Sequence, residues 1–302
     1  TGAVVILGNF DGVHKAHRKI LQKGVKKAQE NGYKTVVYTF NEYPDKRHTR
    51  ITNQSEKAFI MDNEGIDYLY FEEFEKVRNF SPENFVKKIL IEKLNAKKVL
   101  CGFNFTFGKG KSGNPEILKE ILEKNRIELE IQEAVFDDNL EVISSTNIRK
   151  HIKETNLEKV KKLLGHNLII LGKVIHGKQL GRTIGFPTAN LKFENRVYPS
   201  FGVYGVKIYF YEKGILKTYT GVMNIGRNPT VDKDNLSVET HIFDFDKDIY
   251  GKYILIEIFK NIRKEIKFNS IDELKNQIDK DSKYWKNEVK KIKEQDRENE
   301  IK

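Results

Sequence analysis

The chain has 302 residues, 38% hydrophobic and 11% aromatic, enough apolar material for two average domains and too much for wholesale disorder. Lys and Arg outnumber Asp and Glu by 54 to 43, a net charge of +11, yet only 11 of these cations are arginines and they are scattered, so a phosphorylated small molecule is the expected partner rather than a nucleic acid. One cysteine, Cys101, excludes an intrachain disulfide, and no run of about 18 apolar residues offers a membrane span, which together give a cytoplasmic expectation.

In chain order, strand patterns at 3–7, 34–40, 66–71, 97–103 and 127–136 alternate with helical periods at 15–30, 55–64, 82–94 and 115–125. Asn31 with Gly32 and Gly65 close two of these periods, and Ser81 with Pro82 and Asn114 open the other two. Alternation at this length predicts a mostly parallel sheet covered on both faces. Two short helices, STNIRKHIKE and NLEKVKKLLG, follow and stop at Gly165. The texture then changes. Stretches rich in Val, Ile, Tyr and Phe at 168–175, 202–211, 216–225, 236–243 and 253–260 are broken only by turns, which predicts an antiparallel barrel or sandwich. A helix capped by Ser270 and Glu273 closes the chain. The expected organisation is therefore α/β plus all-β, in two abutting domains at 1–166 and 167–302.

The first candidate site is VVILGNFDGVHKAHRKIL, residues 4–21. Ligands of an open parallel sheet bind where strands end and the next helix begins, and free N–H groups there suit phosphate. His14 and His17, three apart on the opening turn of a helix, can face one anion, while Gly8 and Gly12 allow close backbone approach. Zinc would need more ligands than this stretch supplies.

GNFDGVHKAH resembles the (H/T)xGH signature of cytidylyltransferase-like nucleotidyltransferases, in the form found in bacterial FAD synthetases. ISSTNIR at 143–149 is similar to a second hallmark, ISSTxxR, and GFNFTFG at 102–108 to a third, GxDFRFG. The resemblance implies that His14 and His17 stabilise the α-phosphate of ATP under attack by a phosphate nucleophile. It also implies that Ser144, Ser145, Thr146 and Arg149 hold the phosphates leaving as pyrophosphate. Gly8, Phe10, Asp11, Gly12 and Asn104 would border the nucleotide, with Asn41 at the end of the second strand as a further contact. Ala16 stands where the signature has Gly, and Asn104 where it has Asp.

The second candidate site is GKVIHGKQLGRTIGFPTANL, residues 172–191. Its glycines, among them Gly172, Gly177 and Gly181, could cradle phosphate, although no P-loop spacing is present. IGFPTAN resembles the riboflavin kinase signature, and GVYGV, GVMNIGRNPT, VETHIFDFDKDIYG and IRKEIKFNS follow in that family's order. The resemblance implies that Thr188 and Asn190 hold Mg²⁺ and nucleotide phosphates, that Glu239 is the base, and that Arg263 lies near the flavin. Together the halves resemble the bifunctional bacterial riboflavin kinase/FMN adenylyltransferase family. That family's fold is a Rossmann-like nucleotidyltransferase domain followed by a six-stranded β-barrel and a helix. Riboflavin, FMN and ATP are the implied small-molecule partners, Mg²⁺ the implied cofactor, and a monomer or weak oligomer the expected state.

Overall fold

The computed structural model describes residues 2–42, 49–177, 181, 185–192, 195–227 and 236–301. Val4, Val5, Ile6 and Leu7 are apolar on both faces, so the strand they form must be flanked and covered. β1 (Ala3–Leu7) is fully buried and leads through the turn at residues 8–14 into α1 (Lys15–Asn31). There follow β2 (Lys34–Phe40), α2 (Gln54–Asp62), β3 (Tyr68–Glu72), the short α3 (Phe74–Val77) and α4 (Pro82–Phe85). α4 runs on as a π-helix over Val86–Lys93. β4 (Ala96–Gly102), α5 (Pro115–Lys124), β5 (Glu128–Gln132), α6 (Ser145–Lys153) and α7 (Leu157–Leu164) complete the α/β half.

The five strands are all parallel in the order β3-β2-β1-β4-β5, with β1 central. Its carboxyl end therefore lies where the strand order turns back, the usual ligand crevice of such sheets. One face of the sheet packs Val5, Leu7 and Val99 against Phe85, Leu90 and Leu118. Two strand expectations shift. The fifth is shorter than read, because its pairing ends at Gln132 with Gly102, and Phe136 bridges to Val142 instead. The third begins at Tyr68, and the helix read over 82–94 carries the π segment.

The second half is a closed antiparallel barrel. Its strands are β6 (Leu168–Ile175), β7 (Thr188–Leu191), β8 (Gly202–Glu212), β9 (Ile215–Arg227), β10 (Leu236–Ile242) and β11 (Tyr253–Lys264), in the ring order β10-β7-β6-β11-β8-β9. Five of the six match stretches read as strands. β7 is the TANL of the second motif, too short and polar to announce itself as one. α8 (Ile271–Ile301) packs on β8 through Trp285, which is fully buried and donates from Nε1 to the Val206 carbonyl at 3.1 Å. Gly205 makes this possible, since a Cβ there would sit 2.3 Å from the indole.

The chain forms two compact units, Thr1–Arg149 with Leu163–Gly165, and Lys150–Lys162 with His166–Lys302. The division thus cuts through α6 and α7. Among the described residues no helix is long and apolar enough to cross a membrane.

Candidate active sites

The GNFDGV turn leaves β1 by an unusual backbone path. Phe10 (φ 48°) and Val13 (φ 41°) both occupy the left-handed region, with Gly12 (φ 83°) between them. A β-branched residue there is strained, at a cost of about 1–3 kcal/mol, and must be held by its surroundings. Asp11 supplies much of that hold. Its buried carboxylate accepts from the Ile51 amide at 2.8 Å, the Thr52 amide at 3.1 Å and the Arg149 guanidinium at 2.9 Å. Its backbone carbonyl accepts from Ser145 Oγ at 2.8 Å, and Gly12 N donates to Thr52 Oγ1 at 2.9 Å.

The turn delivers His14 as the N-cap of α1, its Nδ1 accepting from the His17 amide at 3.3 Å. The imidazoles of His14 and His17 stack with centroids 3.5 Å apart and planes 15° apart, and Phe10 meets His17 edge-on at 5.1 Å. Burial pushes His14 down to about 3. Burial, with His14 and then Lys57 as like-charged neighbours, holds His17 well below the ordinary imidazole value. Both rings are therefore neutral at pH 7, and an incoming polyphosphate would favour their protonation.

The pair stands in a cavity of 870 Å³ at the carboxyl ends of the strands. Gly8, Phe10, Asp11, Asn104, Ser144, Ser145 and Thr146 share its wall, as does Ala16. Ser144 Oγ accepts from the Asn147 amide at 3.3 Å, so the free amides at the start of α6 open beside the cavity. Three expected residues are not in its wall. Gly12 faces Thr52. Asn41 lies at the exit of β2, its amide donating to the Glu72 carbonyl and its own carbonyl accepting from Gln54. Arg149 is 5% exposed and grips Asp11 and, at 2.8 Å from Nε, the Thr49 carbonyl. Two of its guanidinium nitrogens are thus engaged by the protein itself, one of them by the Asp11 carboxylate.

In the barrel, strand register does the assembling. Glu239 pairs directly with Asn190 on β7 and with Asn224 on β9. Asn224 pairs with Val203 on β8, Val203 with Arg263 on β11, and Asn190 with Ile175 on β6. Directly paired residues project to one face, so these six form a single row around the barrel. Val238 and Thr240 are buried while Glu239 is half-exposed, which makes this the outer face. Thr188 joins it opposite His241, whose Nδ1 lies 2.9 Å from the Pro187 carbonyl.

Gly177 covers Asn190 so closely that a Cβ would meet the amide at 2.3 Å. Gly181 lies against the Phe186 carbonyl, 2.3 Å from where its Cβ would be. Gly172, by contrast, sits within β6 opposite Ile254 and belongs to the ladder, not to the loop. Arg263 pairs with Asp281 of α8 at 2.9 Å and donates to the Lys264 carbonyl at 3.0 Å. Residues 178–180 and 182–184 of the second motif, and 228–230 of GVMNIGRNPT, lie outside the described residues.

Residues 1–147 match the FAD synthetase family model and residues 164–289 the riboflavin kinase model. A bifunctional riboflavin kinase/FMN adenylyltransferase from Escherichia coli K12 is 35% identical over 93% of this chain and 90% of that protein. One from Buchnera aphidicola subsp. Schizaphis graminum is 36% identical over 93% and 92%. The chain belongs to the bifunctional riboflavin kinase/FMN adenylyltransferase family. A crystal structure described as a macrolide-efflux protein from Streptococcus pneumoniae shares the fold, with 35% identity and a TM-score of 0.78 over 93% of this chain and 92% of that one.

Within this family member, three features of the first site escaped the sequence reading. Lys109, Lys111 and Arg78 line the cavity and add positive charge to it. The two lysines were legible as FGKGKSG, where Gly108 (φ 73°) and Gly110 (φ 64°) bend the backbone directly after the third motif. Thr106, also in the wall, stands where the quoted GxDFRFG motif has Arg, a third departure beside Ala16 and Asn104. Lys57 gives no signal, being one of the many lysines of the chain and part of no motif.

Proposed function

We propose that the two reactions of this bifunctional enzyme are carried by two residue sets, each complete within its own half. Riboflavin and ATP give FMN and ADP at the barrel; FMN and ATP give FAD and pyrophosphate at the α/β cavity. The observation that carries this assignment is the pairing of a stacked, neutral His14–His17 floor in one half with the Thr188–Asn190–Glu239 register in the other.

In adenylyl transfer, an FMN phosphate oxygen attacks the α-phosphorus of ATP while the bond to the β-phosphate bridging oxygen breaks. No covalent enzyme intermediate is needed, because positioning and charge stabilisation carry phosphoryl chemistry. His14 and His17 place N–H donors beside the charge that grows on the α-phosphate, and protonation strengthens them as it grows. The α6 amides, with Ser144 and Thr146 and the lysines at 109 and 111, face the departing pyrophosphate. Arg149 acts one step back, fixing Asp11 and with it the turn.

In phosphorylation, Glu239 takes the proton of the riboflavin hydroxyl as its oxygen bonds to the γ-phosphorus and ADP leaves. The Thr188 hydroxyl and Asn190 carboxamide, neutral oxygen donors two residues apart on one strand face, fit Mg²⁺ completed by substrate phosphates and water. Gly177 lets the backbone pass close over Asn190, where any side chain would displace the carboxamide from its place. When bound, Mg²⁺ would neutralise phosphate charge. Arg263 braces α8 against β11 at the end of the same row.

Product assays with riboflavin, ATP and Mg²⁺ test the assignment. His14→Ala should cut FAD formation by about 10²–10³-fold and leave FMN formation near wild type. Glu239→Gln should cut riboflavin phosphorylation by about 10²-fold or more and leave conversion of supplied FMN intact. Parallel loss of both activities in either folded variant would overturn it.

A further inference from the structure

The carbonyl of Asn9 is an unusual point in the first site. It precedes Phe10, the first left-handed residue of the turn, and it accepts two side-chain bonds from different elements. Lys57 Nζ, from α2, donates at 2.7 Å, and Thr39 Oγ1, from the end of β2, at 3.1 Å. Lys57 is only 7% exposed and does not itself line the cavity, whereas Asn9, Phe10, Asp11, His14 and His17 do. A buried ammonium is costly and is retained where something balances it. Asp11 is the acidic group that does so, Arg50 acts against it, and His17 feels Lys57 from α1.

We infer that Lys57 is a positioning residue for adenylyl transfer: its ammonium pins Asn9 and balances Asp11, holding the strained turn that aims His14 and His17, and adds positive charge behind the phosphate site. This rests on the assignment of adenylyl transfer to the α/β cavity. Two consequences separate Lys57 from a merely structural lysine. The first is electrostatic. Burial, opposed by Asp11 and reinforced by Arg50, lowers Lys57 to about 8, so its charge is lost just above neutral pH. A neutral amine could still donate to Asn9 but would no longer balance Asp11 or attract phosphate. The second is locality, since the barrel reaction should not register the change.

The test is the pH dependence of FAD formation from FMN and ATP by the full chain, between about pH 7 and 9.5, where both substrates' phosphates are already ionised. Wild-type kcat/KM for ATP should fall as pH rises through about 8, while riboflavin phosphorylation shows no matching limb. Lys57→Met, which keeps the apolar stem, should lower kcat/KM for FAD formation by about 10- to 100-fold and abolish that limb. Lys57→Arg, charged throughout, should keep its rate to higher pH than wild type. A wild-type profile flat from about pH 7.5 to 9, or a Lys57→Met protein with unchanged rate, would overturn the inference. Should Lys57→Met not fold, the wild-type limb and the Lys57→Arg profile still decide. A wild-type chain that makes FMN but no FAD at any pH would instead remove the assignment beneath it.

Discussion

The two sites reach the same end, a set of polar groups aimed at phosphate, by opposite structural means. In the α/β half the geometry is forced: two non-glycine residues in left-handed backbone, a buried carboxylate gripped by backbone amides and a guanidinium, and imidazoles kept neutral by burial. In the barrel it is given by the ladder, where Glu239, Asn190 and Asn224 meet because their strands pair in register. A site made of strain depends on the residues that hold it. A site made of register depends on what lies over it.

The largest expected consequence follows from Asp11→Asn, which removes the carboxylate charge that the buried Arg149 grips. Removing one partner of such a pair costs about 3–5 kcal/mol. Urea denaturation followed by site-specific probes should show the α/β half melting early and the barrel unchanged; an unaltered α/β transition would make the ion pair incidental. Smaller, and confined to the kinase, is Gly177→Ala. The added methyl would displace the Asn190 carboxamide, so riboflavin phosphorylation should drop by about tenfold, roughly a 1.4 kcal/mol change, with stability nearly kept. Normal kinase kinetics in that variant would show that Asn190 need not hold its observed place.

The contrast between the halves also has a pH signature. His14 binds a proton near the ordinary imidazole value when unfolded but only near about pH 3 when folded. Below about 6.5 the unfolded chain therefore takes up protons that the folded one refuses, and stability falls with pH by up to about 1.4 kcal/mol per unit per imidazole. His14→Asn keeps an N-cap acceptor and removes that titration, so its urea midpoint should vary less between about pH 7 and 5 than that of wild type. The smallest effect is that of Ala16→Gly. We expect a modest improvement in apparent KM for ATP and a stability loss below about 1 kcal/mol. Poorer ATP use would mean that the Ala16 methyl is part of the cavity's own packing.

The sequence reading succeeded where periodicity and motif coincide. VVIL before Gly8 reads as a strand, and the HxxH at the start of a helical period puts both imidazoles on one face, which the structure sets in one cavity. It failed where the deciding partner is distant in sequence. The pairing of Arg149 with Asp11 has no local signal, and Lys57 is silent until its ammonium is found under Asn9. TANL was visible as chemistry and invisible as a strand, because Asn carries little β signal and four residues show little alternation. The row through Glu239 needs the pairings of all six strands, which no local pattern encodes.

Closure of the barrel has a further consequence for how the chain is made. β6, its first strand, pairs with β7 on one side and with β11, its last, on the other, and β8 acquires Trp285 only from the helix after β11. The parallel sheet can complete itself while the ribosome is still translating, at about 5–20 residues per second. The barrel closes only after β11 has been made, so its earlier apolar strands stay partly paired over the whole interval from β6 to β11.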